Sequence, residues 1–255
     1  MNEIKKLIDL SVWTGNWPFI HLRYGNMNVL KEKLKSMNVT KAFIAPIEGI
    51  LEQDPIRANK NLLSGINDDF FSPVLIIDLS YENWQECMEI ALNDRRVKMV
   101  KLIPNYHIYK MDEKKLGKLV ELAKPNHMVI SIQMRIEDRR GQYPLMKVDD
   151  VGYQGVIKAL SYFPDQVFIL NNVLMSDIQM LIQSLDNVYL DISSLEHQDI
   201  LEQLYHEYSL DRFLFSSHCP FFFPEGNIYK LKFSSLDIKE VEKVAYKNAE
   251  KIFTC

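Results

Sequence analysis

The sequence lacks most of the features that mark a secreted, membrane-bound or nucleic-acid-binding protein. It has only three cysteines in 255 residues, Cys87, Cys219 and Cys255. They are scattered and odd in number, which argues against a disulfide framework and suits a reducing compartment. No apolar run approaches the roughly 18–20 residues of a membrane span. The first residues run from Met-Asn-Glu-Ile-Lys-Lys into Leu-Ile-Asp-Leu without a signal-peptide core, so the expected location is the cytoplasm. Thirty Lys and Arg stand against 34 Asp and Glu, a net charge of -4, so there is no basic footprint for nucleic acid. The expected partner is a small-molecule substrate or ligand, and nothing opposes a homo-oligomer.

Catalytic signatures are equally sparse. None of the six histidines forms a His-x-His or His-x3-His pair, and a zinc site normally needs three or four protein ligands. Gly-x-Ser-x-Gly and P-loop patterns are absent. The stretch 13–19 has a single glycine, unlike the Gly-rich first turn of a doubly wound dinucleotide fold.

What the chain does have is a repeating unit: a short apolar run, a turn and an amphipathic run. Apolar runs fall at residues 7–12, 41–47, 73–78, 99–103, 127–134, 166–170, 187–192 and 212–217. Helical patterns follow at 28–37, from 54, and at 82–92, 112–122, 151–162, 176–185, 198–208 and 238–253. Eight strand–helix units in about 250 residues predict an α/β protein, a (β/α)8 TIM barrel in a single domain over 1–255.

In such a barrel the working face lies at the C-terminal strand ends. Those ends carry Ser11, Trp13, Lys101, Tyr106, His107, Gln133, Arg135, Asn171, Asn172, Asp191 and His218. In strand five Ser131, Gln133 and Arg135 alternate with Ile130, Ile132 and Met134, so the polar set is expected to point into the barrel. Lys101 alternates with Val100 and Leu102 in the same way, with Asp9 as a candidate buried partner. Three arginines in the loop after strand five, Arg135, Arg139 and Arg140, could clamp an anion or face solvent. His218, His107 and Tyr106 are the expected catalytic groups, because imidazole and phenol at strand tips can carry protons. Ser11, Trp13, Lys101, Gln133, Arg135 and Asn172 are the expected substrate-binding residues.

The chain also resembles the amidohydrolase superfamily, in its amidohydrolase-related (amidohydrolase 2) branch of small decarboxylases and lactone hydrolases. Residues 7–13 sit where that branch has Ile-Asp-x-His-x-His. Residues 212–221 are similar to Arg-x-Leu-Phe-Gly-Ser-Asp-x-Pro-Phe, and residues 247–253 to a terminal Asn-Ala-x-x-x-Phe helix. The resemblance implies a hydrolase or lyase acting on a small cyclic amide, lactone or carboxylate. It also implies that every metal-binding position is changed, to Ser11, Trp13, Gln133, Asn172 and His218. Amides and a hydroxyl are poor ligands for a transition metal, so no cofactor is expected. Two rivals stay open. One is a non-catalytic small-molecule-binding pseudo-enzyme. The other is a metal enzyme with relocated ligands such as His107, His218, Asp191 and a carbamylated Lys101.

Overall fold

A computed structural model describes residues 2–253; the predicted unpaired Cys255 lies outside them. Eight parallel strands form one sheet in sequence order, β1 (Leu7–Thr14), β2 (Val39–Pro46), β3 (Phe71–Ile76), β4 (Met99–Leu102), β5 (Val129–Gln133), β6 (Phe168–Asn171), β7 (Val188–Asp191) and β8 (Phe213–Leu214). Between them run α1 (Met27–Lys35), α2 (Ile56–Gly65), α3 (Trp84–Asn93), α4 (Glu113–Ala123), α5 (Tyr153–Leu160), α6 (Met175–Ser184) and α7 (Ile200–Tyr208). This is the expected TIM barrel.

Local chemistry sets the boundaries. The Asp112 side chain accepts from the amides of Lys114 and Lys115 and so starts α4, as predicted. Asn26 does the same for α1. Period-two alternation sorts the strands: Val100, Leu102, Ile130 and Ile132 pack outward against the helices, while Met99 and Val129 pack inside the barrel. The base of the interior is apolar, with Phe43 packed on Phe253 of the terminal helix at 4.4 Å between ring centroids.

Three elements differ from the sequence expectation. The eighth ladder covers only Phe213–Leu214, because the chain beyond it turns to β1. There Leu10 N donates to Phe215 O (3.1 Å), His218 N to Ser11 O (3.0 Å) and Trp13 N to Cys219 O (2.8 Å), which closes the barrel. A further helix, α8 (Pro224–Lys232), follows, which the sequence reading misses. The terminal helix is three segments, α9 (Ile238–Glu242), a wide π turn over Lys243–Lys247, and α10 (Asn248–Phe253). In the wide turn Val244 O accepts from Phe215 N, so the helix contributes to the closure.

The end of β3 is held by a side chain. The buried Asn59 of α2 accepts from Ile76 N (2.9 Å) and donates to Ile76 O (2.8 Å). Asn59→Leu leaves both backbone groups unpaired, and urea denaturation is expected to show a loss of about 2–4 kcal/mol.

Candidate active site

The site begins with a break in β1. Ile8 and Leu10 pack in the barrel interior, and so does Trp13, an odd number of residues after Ile8. The register shift between Asp9 and Val12 makes that change of parity, re-aiming the strand end as bulges do. Ser11 and Trp13 thereby come to face β4 and β5.

Lys101 lies at the centre. Its Nζ donates to Ser11 Oγ (2.9 Å), Gln133 Oε1 (3.0 Å) and Asn171 Oδ1 (3.0 Å). The Trp13 ring lies 4.8 Å from Nζ. Gln133 Nε2 passes the network on to Asn172 Oδ1 (2.5 Å) and to the Arg135 carbonyl (2.6 Å). Asn172 Nδ2 donates to Ser194 Oγ (3.1 Å). Trp13 Nε1 donates to His218 Nδ1 (3.1 Å). Ser11, Trp13, Lys101, Gln133, Asn172 and His218 thus form one connected group, each 0–1% exposed.

Two carboxylates lie beside this group. Asp191 accepts from Asn172 N and Ser193 Oγ through Oδ1, and from Asn171 Nδ2 through Oδ2. Asp9 Oδ1 accepts from Ser217 N (3.0 Å) and Ser11 N (3.3 Å), while Oδ2 has no partner. Burial pushes the Asp9 carboxyl up to about 7, opposed by the Ser217 and Ser11 bonds and assisted by the Asp191 charge. Burial brings the Lys101 ammonium down to about 7, against the pull of Asp191 and Asp9. A lysine in that range can give or take a proton near neutral pH.

His218 is held differently from the sequence expectation. Trp indole only donates, so Nδ1 is an acceptor and Nε2, 2.7 Å from the Ile136 carbonyl, carries the hydrogen. Burial drives its pKa down to about 3, partly offset by the Ile136 carbonyl. The ring is neutral with both nitrogens engaged, and Phe221 stacks on it at 5.3 Å.

The other predicted residues lie outside this network. His107 Nε2 faces the Gly49 carbonyl (3.0 Å), and its Nδ1 lies 3.8 Å from Asp78. Tyr106 packs edge-on against Trp17, 6.0 Å between centroids, and burial raises its phenol further above the usual range. Arg135 pairs with Asp150, Arg139 with Asp149 and Arg140 with Asp138, so each arginine of the loop already has a carboxylate. Asn171, Asp9 and Asp191 are the members that the predicted set of site residues omits. The signal for them was present as polar letters inside apolar strands.

The network lies beneath an aromatic cap. Trp17 packs against Phe19 and Phe221, each 5.3 Å away, and Phe19 stacks on Tyr143 from the loop after β5. Beside the cap a cavity of about 670 Å³ opens between the loop after β7 and α8, lined by Ser193, His197, Phe222, Asn227 and Lys230 among others. Phe222, part of its wall, lies 4.8 Å from the His218 ring.

No family model and no curated protein matches the chain. Solved structures do. A Staphylococcus aureus protein provisionally named an amidohydrolase shares 16% identity at TM-score 0.73, covering 98% of this chain and 100% of that one. The 2,6-dihydroxybenzoate decarboxylase from Rhizobium shares 13% identity at TM-score 0.72, over 98% and 99% of the two chains. A dihydroxybenzoic acid decarboxylase from Polaromonas, carrying bound manganese, shares 13% identity at TM-score 0.71, over 98% and 97%. At such identities the likeness is one of fold.

The donor set at the centre, one hydroxyl and two amide oxygens, is poorly suited to a divalent transition metal. Among the described residues no three His, Cys, Asp or Glu side chains converge, so the relocated set of His107, His218 and Asp191 does not assemble. The three oxygens at the centre are committed to Lys101.

The titration of Asp9 can be isolated by comparison with Asp9→Asn, which mimics the protonated acid. Between the unfolded value near 3.9 and the folded value near 7, the native state holds a proton that the unfolded state releases. Stability of the wild type relative to Asp9→Asn is therefore expected to fall as pH rises from about 4 to 7. Denaturant titrations at several pH values check this. A flat or rising difference would mean that Asp9 is ionised across that range.

Proposed function

We propose that this chain is an amidohydrolase-like hydrolase or lyase that acts on a small carboxylate, lactone or cyclic amide through side-chain proton transfer. The observation that carries the reading is the network at the C-terminal strand ends, with a neutral-range lysine at its centre. The shared fold with aromatic-acid decarboxylases supports the carboxylate class.

In this reading Lys101 gives and takes the proton. Asn172 donates one Nδ2 hydrogen to Ser194 Oγ and offers the other to a substrate oxygen, Gln133 holds Asn172 in place, and His218 is a positioning residue that acts through Trp13. The substrate enters from the cavity between the loop after β7 and α8. Phe221 and Phe222 turn aside to admit it to the network. Tyr106 and His107 belong to the walls of the mouth.

A second reading, a non-catalytic binder of the same molecules, is favoured by the near-complete burial of the network. A panel of hydroxybenzoates, lactones and cyclic amides, offered to the protein in EDTA, separates the two. The catalytic reading expects turnover of at least one compound, with Lys101→Met reducing kcat by about 10²-fold or more. Compounds that raise Tm and are recovered unchanged favour the binder, and Lys101→Met with undiminished kcat removes Lys101 from the chemistry.

A further inference from the structure

The donor set at the mouth suits an ammonium far better than a metal ion. A lysine ammonium has three hydrogens and no acceptor. Here three oxygens from β1, β5 and β6 take one bond each at 2.9–3.0 Å. The face of Trp13 covers the group at 4.8 Å, a cation–π arrangement. Asp191 is joined to the group through the Asn171 side chain, which accepts from Nζ and donates to Asp191 Oδ2. We propose that the Lys101 ammonium is the resident cation of this barrel mouth, tethered to β4 and taking the place of a divalent metal.

The arrangement is the coordination shell of a small cation: oxygen ligands, a π face and the Asp191 carboxylate outside them. A divalent ion added to it would sit a few ångströms from a like charge in a low-dielectric pocket, where repulsion is strong. It would also have to take oxygens already engaged by Nζ, and amide and hydroxyl oxygens hold transition metals weakly. The tethered cation cannot be chelated away or exchanged. It offers a proton where a metal would offer a Lewis acid. The inference is independent of the proposed reaction, since a binder needs the same donor for the oxygens of Ser11, Gln133 and Asn171.

Thermal unfolding tests it without any substrate. Untagged wild-type protein is measured as purified, after EDTA dialysis and with 1 mM MnCl2 or ZnCl2. The expected result is one Tm throughout. Lys101→Met keeps the length and removes the charge, stranding the three oxygens that accept from Nζ. Its Tm at pH 7 is expected to fall by about 10 °C, and methylammonium is expected to restore part of the loss in Lys101→Ala. Should these variants not fold, the wild-type series decides alone. A wild-type Tm that drops in EDTA and returns with one equivalent of manganese would overturn the proposal. So would Lys101→Met as stable as the wild type.

Discussion

The bonds made by the Lys101 ammonium hold the barrel mouth together. They tie the ends of β1, β4, β5 and β6 to one point. A buried charge is tolerable only when it is paired and hydrogen-bonded. The rest of the mouth can be read as meeting that condition. Gln133 turns its carbonyl to Nζ and therefore its amide to Asn172 and the Arg135 carbonyl. Asn171 divides its side chain between Nζ and Asp191. Asp191 in turn fixes Asn172 N and Ser193. One charge thus dictates the orientation of side chains on five strands.

The same constraint explains why the site is buried and capped. An ammonium whose donors are all spent needs no water, and the low dielectric around it favours an aromatic cover. Trp13 serves both ends: its face covers Lys101 and its Nε1 fixes the His218 tautomer. His218 in turn carries Phe221 and Phe222, which separate the network from the neighbouring cavity.

Much of the barrel is legible from strand periodicity, because inside and outside alternate along β4 and β5. That alternation places Lys101, Ser131 and Gln133 inward without any coordinates. The bulge in β1 is not legible, since a one-residue change of register leaves no mark in the pattern of Asp9 to Trp13. Nor is the role of His218. The letter suggests a proton carrier, but its properties here come from Trp13 and Ile136, distant in sequence. Tyr106 and His107 follow β4 closely in the sequence, which groups them with Lys101. The turn after Pro104 instead sends them to Trp17 and to Asp78. Helix α8 escapes detection because its apolar positions are few beside Pro224 and Gly226, and it is pinned by polar bonds such as Asn227 to the Ser217 carbonyl.

The most direct test of the central claim is a crystal structure of the wild-type protein grown in excess manganese, with anomalous data collected at the manganese edge. The account predicts no anomalous peak within bonding distance of Ser11, Gln133 or Asn171, and continuous density for the Lys101 side chain ending between their three oxygens. A manganese peak bonded by those side chains, with Lys101 displaced, would contradict it.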